Sequence, residues 1–210
     1  MVTIKDIARE LGVSPGTVSK GLNNAPDISE ALKQKIVDTA ISMGYKSSKL
    51  KLGSSGKKVC IFMENMDYES SGQFGFDIVT GFKQEALKEG FDVTLLPISP
   101  AFQKNEAYDA FMLKNGFSGS FCVGFALEDP WLKDFKKTTT PTVLFDNYIS
   151  KNPKTCYVGT DNTEIMELIV SHLHHLGHKK IAFLNGSKNS HVTEQRMDCF
   201  YNSMKNRKLN

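Results

Sequence analysis

Residues 3–23 read TIKDIARELGVSPGTVSKGLN, two short amphipathic segments meeting at Gly12-Val13-Ser14. Thr3 and Asp6 stand at the head of the first segment in the spacing of a capping box, with Asp in place of the usual Glu. Ile4, Ile7, Ala8 and Leu11 recur at helical spacing, and Gly12 supplies the stop. Ser14 caps a second helix, Pro15 takes its favoured first position, and Val18 and Leu22 face inward. Gly16 is the anomaly. Glycine costs about 1 kcal/mol relative to alanine inside a helix, yet here it occupies the exposed first turn. A partner that comes very close to that turn is one reason for it; a bare helix start is the other.

Working outward, NNAPD at 23–27 reads as a loop, and Ser29 caps a third helix running through Met43 to Gly44. Leu32, Ile36, Val37 and Ala40 form its inner face. Two helices joined by a three-residue turn and backed by a third make a helix-turn-helix, residues 1–46. A B-DNA major groove is about 12 Å wide and admits one α-helix, whose N-terminal residues reach base edges. A helix N-terminus also offers free N–H groups and partial positive charge to phosphate. Charge distribution points the same way. Residues 1–58 hold ten Lys/Arg against five Asp/Glu, whereas residues 59–210 hold sixteen against eighteen, so the basic excess faces a polyanionic partner at the N-terminal end.

KSSKLKLGSSGKK, residues 46–58, is a Ser/Gly/Lys stretch that places a linker at 47–58. Beyond it the rhythm changes. Near-continuous apolar runs at 59–63, 91–98, 118–125, 142–145, 155–159 and 180–185 read as strands. Helical patterns separate them at 74–90, 104–115, 129–137 and 162–176, and another begins near 191. This alternation predicts a doubly wound parallel sheet covered on both faces, an α/β lobe over 59–210 following the small all-α domain. At 40% hydrophobic the chain can bury a sizeable core. Its apolar runs are shorter than the roughly 20 residues of a membrane span, and its charged start is unlike a signal peptide. A cytoplasmic protein without membrane contact is expected. Cys60, Cys122, Cys156 and Cys199 are scattered and are read as small buried hydrophobes rather than a zinc or redox motif. His174 and His178 stand four apart, but Gly177 intervenes and nothing completes a ligand set, so a solvated helix end is expected and no metal or cofactor is assigned.

TIKDIARELGVSPGTVSKGLN followed by AISMGYK at 40–46 resembles the headpiece of the LacI/GalR family of bacterial repressors. VGTDN (158–162), HLHHLGHKKIAFLNG (172–186) and RMDCF (196–200) resemble that family's regulatory core, which is similar to periplasmic binding proteins of type I. The resemblance implies a sequence-specific transcription regulator that binds double-stranded operator DNA as a homodimer and answers to a small sugar-like effector. It places Thr3, Ser14, Thr17, Ser19, Asn23 and Tyr45 at positions that hold phosphates, a role hydroxyls and amides fill without reading sequence. It places Pro15, Gly16 and Lys20 at base-reading positions. Pro15 and Gly16 lack side-chain hydrogen-bonding groups, which leaves Lys20 to donate to guanine O6/N7. The family's linker carries a proline and an Ala-Arg-Ser-Leu segment whose leucine enters the minor groove. Here Ser47 replaces the proline and the arginine is absent; Leu50 or Leu52 could serve as the wedge, with a flexible tether as the alternative.

In open α/β sheets, ligands bind outside the carboxyl ends of strands. Phe74 and Phe76 follow the first strand, one of them a candidate to stack on a ligand ring, with a core role as the alternative. The resemblance assigns Asp146 to effector hydroxyls and Arg196 to effector polar groups; a capping Asp and a surface Arg are the plain alternatives. Residues 59–210 amount to one lobe of such a core, so a truncated regulator lacking the second lobe, and with it effector response, is also implied. Other classes fit less well. A phosphoacceptor domain needs an Asp ending the third strand, where SFCVGF offers none. An enzyme of sugar or nucleotide chemistry would show a phosphate loop or nucleophile elbow after a strand, and none is present. No catalytic residue is assigned.

Overall fold

The computed structural model describes residues 2–23, 25, 27–43, 45 and 57–209. The N-terminal unit comprises α1 (Ile4–Leu11), α2 (Pro15–Leu22) and α3 (Glu30–Ser42). The capping box closes as its spacing predicts. Thr3 accepts from the Asp6 amide, and the Asp6 carboxylate takes the Thr3 amide at 2.9 Å and its hydroxyl at 2.7 Å. Gly12 ends α1 in the left-handed conformation, φ 66°. Ser14 Oγ accepts the Thr17 amide at 3.0 Å and so starts α2. The amphipathic faces converge on Ile7, Ala8, Val18, Leu22, Ile36 and Ala40, all buried. Gly21 is part of this packing: a Cβ there would come within 2.5 Å of Ile36 Cδ1, so the α2–α3 approach depends on its absence.

The second unit is built on β1 (Lys57–Met63), β2 (Phe91–Pro97), β3 (Gly119–Val123), β4 (Thr142–Phe145) and β5 (Thr155–Val158). The strands form one parallel sheet in the order β2-β1-β3-β4-β5. Alternation along β1 sends Cys60 and Phe62 to one face and Ile61 and Met63 to the other; all four are buried, as expected of a strand covered on both sides. One face carries an aromatic cluster of Phe62, Tyr108, Trp131 and Phe135. Its helices are α5 (Pro100–Asn105), α6 (Tyr108–Lys114) and α7 (Trp131–Phe135). The buried Tyr108 hydroxyl lies 2.6 Å from both Ser120 Oγ and Thr142 Oγ1, tying α6 to β3 and β4. On the opposite face α4 (Phe74–Lys88) packs Val79 and Phe82 over Phe121.

Strand order reverses between β1 and β3, which puts a topological switch point at their carboxyl ends. Backbones close tightly there. Gly124 adopts φ 80°, and a Cβ on it would fall 1.7 Å from the Glu64 carbonyl oxygen.

Four expectations from sequence change. The pattern over 104–115 divides into α5 and α6, because Pro100 and the Ser99 cap start a helix earlier and the Glu106 carbonyl turns out of it to accept the Trp131 indole at 2.7 Å. The pattern at 129–137 shortens to α7, because Asp129 folds back to accept the Ala126 amide at 2.7 Å. Cys156 is exposed rather than buried, since β5 lies at the sheet edge; Cys60 and Cys122 are buried as expected. The largest change concerns 180–185. This segment links α8 (Asn162–His175) to α9 (His191–Asn206) without strand assignment. Its exposure alternates as a strand's would: Ile181 and Phe183 pack on the α8–α9 cluster, while Leu184 is 98% exposed. A strand is defined by its ladder, and no ladder forms here among the described residues.

Candidate functional site

The outward surface of α2 gathers the residues that sequence reading singled out. Pro15, Gly16 and Lys20 are exposed while Val18 and Leu22 are buried, so the helix turns its polar, small-residue side to solvent. Gly16 stands in open space on the protein's own account: a Cβ there would have only Ser14 Oγ near it, at 3.6 Å. Ser14 and Thr17 hydroxyls lie 2.9 Å apart at the helix start. Asn23 caps the other end, its side-chain amide donating to the Ser19 carbonyl at 2.7 Å. Thr3 is exposed at the head of α1. These hydroxyls and amides sit on the rims of α1 and α2, and their local bonds hold them in place. Tyr45 is half-buried against the helical core. Lys20 extends from the last turn of α2 and meets Asp27 at 2.5 Å, which holds the Asp27 carboxyl below its ordinary range. Leu50 and Leu52 lie outside the described residues.

A second constellation lies at the carboxyl end of β4. Asp146 adopts φ 53°, and its amide donates to the Val158 carbonyl at 2.9 Å. Its Oδ1 is buried with no hydrogen-bond partner among the described residues. Burial raises the Asp146 pKa, against the opposing charge of Arg196 and a bond from the Thr160 amide. An unsatisfied buried acceptor costs free energy until a donor reaches it. The left-handed φ and the orphan oxygen coincide at the end of β4. Gly159 makes room for that oxygen, since a Cβ there would sit 2.6 Å from Oδ1. Arg196, near the start of α9, donates from Nε to Asn162 Oδ1 at 2.9 Å, and Asn162 Nδ2 donates to Gln195 at 3.0 Å. Asn162 and Gln195 were not singled out in the sequence, although the VGTDN motif contains the first. Phe74 is 66% exposed and its ring lies 6.1 Å from that of Phe145, beside Asp146. Phe76 is half-buried along α4.

A third group lies at the switch point itself; sequence reading sets Glu64 beside Asp67 as a possible acidic pair after the first strand and does not foresee Asp129 or Gln103 next to it. Glu64 follows β1, and both it and Asp129 are buried. Gln103 donates to Glu64 Oε2 and accepts the Trp131 amide, and the Glu64 carboxyl also faces that of Asp129. Burial and the adjoining Asp129 carboxylate push the Glu64 pKa up to about 8. Three residues so far apart in sequence carry no local signal; only the switch point brings them together. The histidine group behaves as a solvated helix end: Gly177, φ 86°, stops the chain beyond α8, and no cluster able to hold a metal occurs among the described residues.

A three-helix unit with an exposed second helix, followed by a parallel α/β lobe, defines a protein of helix-turn-helix and doubly wound architecture. Residues 3–48 match the family of bacterial regulatory proteins, lacI family. Similarity to that family's regulators extends over nearly the whole chain. The HTH-type transcriptional regulator IpsA of Corynebacterium glutamicum is 25% identical over 93% of this chain and 57% of its own length. Catabolite control protein A of Priestia megaterium is 26% identical over 89% of this chain and 55% of its own. The chain thus spans little more than half of these relatives. Among solved structures, the transcriptional regulator CelR–cellobiose complex aligns over 100% of this chain and 63% of that one, with TM-score 0.61 and 18% identity. The lac repressor dimer bound to operator and the anti-inducer ONPF aligns over the same shares with TM-score 0.55 and 19% identity. These establish the fold. No helix among the described residues is long and apolar enough to cross a membrane.

Proposed function

We propose that this protein is a sequence-specific transcription regulator, a repressor that holds double-stranded operator DNA as a homodimer and releases it in response to a small sugar-like effector. The observation that carries this reading is the outward face of α2: Pro15, Gly16 and Lys20 exposed in line, over a buried Val18 and Leu22 that fix the helix on its neighbours. In this reading the N-terminus of α2 enters a major groove, Lys20 donates to guanine, and Thr3, Ser14, Thr17, Ser19, Asn23 and Tyr45 grip phosphates. Residues 1–46 are the DNA-binding domain, 47–58 the connection and 59–210 the effector-binding lobe, with Leu50 or Leu52 assigned to the minor groove. Dimerisation is part of the proposal because one small module buries little DNA surface and specific binding usually needs more.

The effector site is assigned to Asp146, Arg196, Phe74 and Phe76. Asp146 Oδ1 supports a ligand hydroxyl, since it lacks any other donor among the described residues. The named relatives are transcriptional regulators, and the reading gives this chain no catalytic step. A DNA target implies action in the cytoplasm. The test is selection of short duplexes from a randomised pool by the purified chain, followed by binding titrations over a salt series. A recovered motif with twofold symmetry and a steep salt slope is expected; binding indistinguishable from that of an uncharged control would overturn the reading.

A further inference from the structure

The turn at 126–129 grips the segment that leads into α9. The Leu127 amide donates to the Asn189 carbonyl and the Glu128 amide to Asn189 Oδ1, both at 3.1 Å. The turn owes its shape to Asp129, whose Oδ2 accepts the Ala126 amide at 2.7 Å. Behind it lies the Glu64 carboxyl, as deeply buried as Asp129 itself. Gln103 takes up Glu64 Oε2, which leaves the buried Oε1 for the Asp129 carboxyl. Two adjoining carboxylates out of water repel each other, whereas one proton between them replaces that repulsion by a hydrogen bond.

We infer that Glu64 and Asp129 share one proton and act as positioning residues, holding the turn that clasps Asn189 to the α/β lobe. Glu64 follows β1 and is tied to α5 through Gln103, so it is the fixed member of the pair. Asp129 belongs to the turn, and the turn is what yields when the proton leaves. Beyond the clasp, α9 carries Arg196, whose charge acts on Asp146. The clasp therefore sets how close the arginine stands to that carboxylate, a consequence that rests on the effector reading above. Burial, and after it the Asp129 carboxylate, push the Glu64 pKa up to about 8. The closed clasp thus retains a proton that an opened one, with Glu64 in water, gives up. Its strength is complete below about pH 4.5 and falls as pH rises towards 8, by up to about tenfold per pH unit for one proton. The surrounding elements add no other charge at Glu64: α5 presents the neutral Gln103 amide, which also holds the Trp131 amide of α7, and Glu128 of the turn is exposed. Lys188 and His191 flank Asn189.

The test is amide exchange on the whole chain, with protection factors taken at several pH values between about 4.5 and 8. At Leu127 and Glu128, protection should lie below that of the β4 amides and fall by up to about tenfold per pH unit. Glu64→Gln mimics the protonated acid, its amide donating to Asp129, and should give a flat profile at both positions. Asp129→Asn still offers the Ala126 amide an acceptor but removes the charge. It should shrink the fall, and it serves if the first variant does not fold. A merely structural role for the pair would reach only amides that open with the whole molecule, and would leave the turn flat. A flat profile in the unaltered chain, or protection at the turn equal to that of β4, overturns the inference. So does an unchanged slope in Glu64→Gln, as titration of His191 would produce. Neither DNA nor sugar takes part, so failure here is distinct from failure of the function proposed above.

Discussion

Gly16→Ala separates what the protein needs from what its partner needs. Within the chain, the added methyl meets nothing closer than Ser14 Oγ at 3.6 Å, and the backbone there is ordinary right-handed helix. Fold stability alone therefore favours alanine, by roughly 0.4–1 kcal/mol through helix propensity and the unfolded chain. Amide exchange across α2 should slow about two- to fivefold, read by hydrogen-exchange mass spectrometry on the whole chain. Duplex binding should move the other way. If the first turn of α2 lies against base edges, the methyl occupies space the DNA fills, a crowding of the kind that costs about 1–3 kcal/mol in packed interiors. Affinity for the selected duplex should then fall roughly 5- to 150-fold by anisotropy titration. Slower exchange combined with unchanged or tighter binding would refute close approach and leave Gly16 as a mere helix start.

Gly21→Ala is the contrasting case, since its Cβ would sit 2.5 Å from Ile36 Cδ1; overpacking should cost about 1–3 kcal/mol and lower α2 and α3 protection together, read by the same exchange experiment. Glu64→Gln addresses the buried carboxyl pair. The folded-state pKa of Glu64 lies near 8, above its ordinary 4.5, so the native state retains a proton that the unfolded chain gives up. The stability this contributes is complete below about pH 4.5 and is lost as pH rises through about 8. Urea midpoints of the unaltered chain should therefore decline across that window relative to Glu64→Gln, and parallel pH curves would contradict the assignment. Tyr108→Phe should cost about 1–3 kcal/mol, because it strips a partner from the buried Ser120 and Thr142 hydroxyls; a neutral urea midpoint would mean that water replaces it. Asp146→Asn should abolish the response of DNA binding to sugars that act on the unaltered chain, and a preserved response would remove Asp146 from the cleft.

The helical unit was legible because its signals are local. Thr3 with Asp6, Gly12, and Ser14 with Pro15 each specify a boundary within a few residues, and each boundary falls where its chemistry requires. Parallel strands followed from alternating apolar runs and amphipathic helices, while their order β2-β1-β3-β4-β5 is seen only in the structure. What stayed hidden was set at long range. The break between α5 and α6 depends on a carbonyl taken by Trp131, twenty-five positions away along the chain. Segment 180–185 has a strand's composition and alternation but lacks the ladder that would make it one, and composition carries no record of neighbours. In the cleft, a chemical type could be assigned to Asp146 and Arg196, but not the Asn162–Gln195 relay that orients the arginine. The burial of Glu64 and Asp129 beside each other carries no local signal, since it depends on the approach of β1 and β3 at Gly124 and on the turn that Asp129 makes with the Ala126 amide.

The bare ribbon around Leu184 bears on how the protein behaves in a tube. A segment that joins no ladder among the described residues and carries an exposed leucine invites a copy of itself to lie alongside. If two such ribbons met head to tail about Leu184, Lys180 of each would fall opposite Lys188 of the other, and this repulsion guards the edge. Added salt, which shields charges beyond about 8 Å at physiological strength, weakens that guard. Concentrated salt should thus turn a well-behaved preparation cloudy, and dilute buffer should keep it clear.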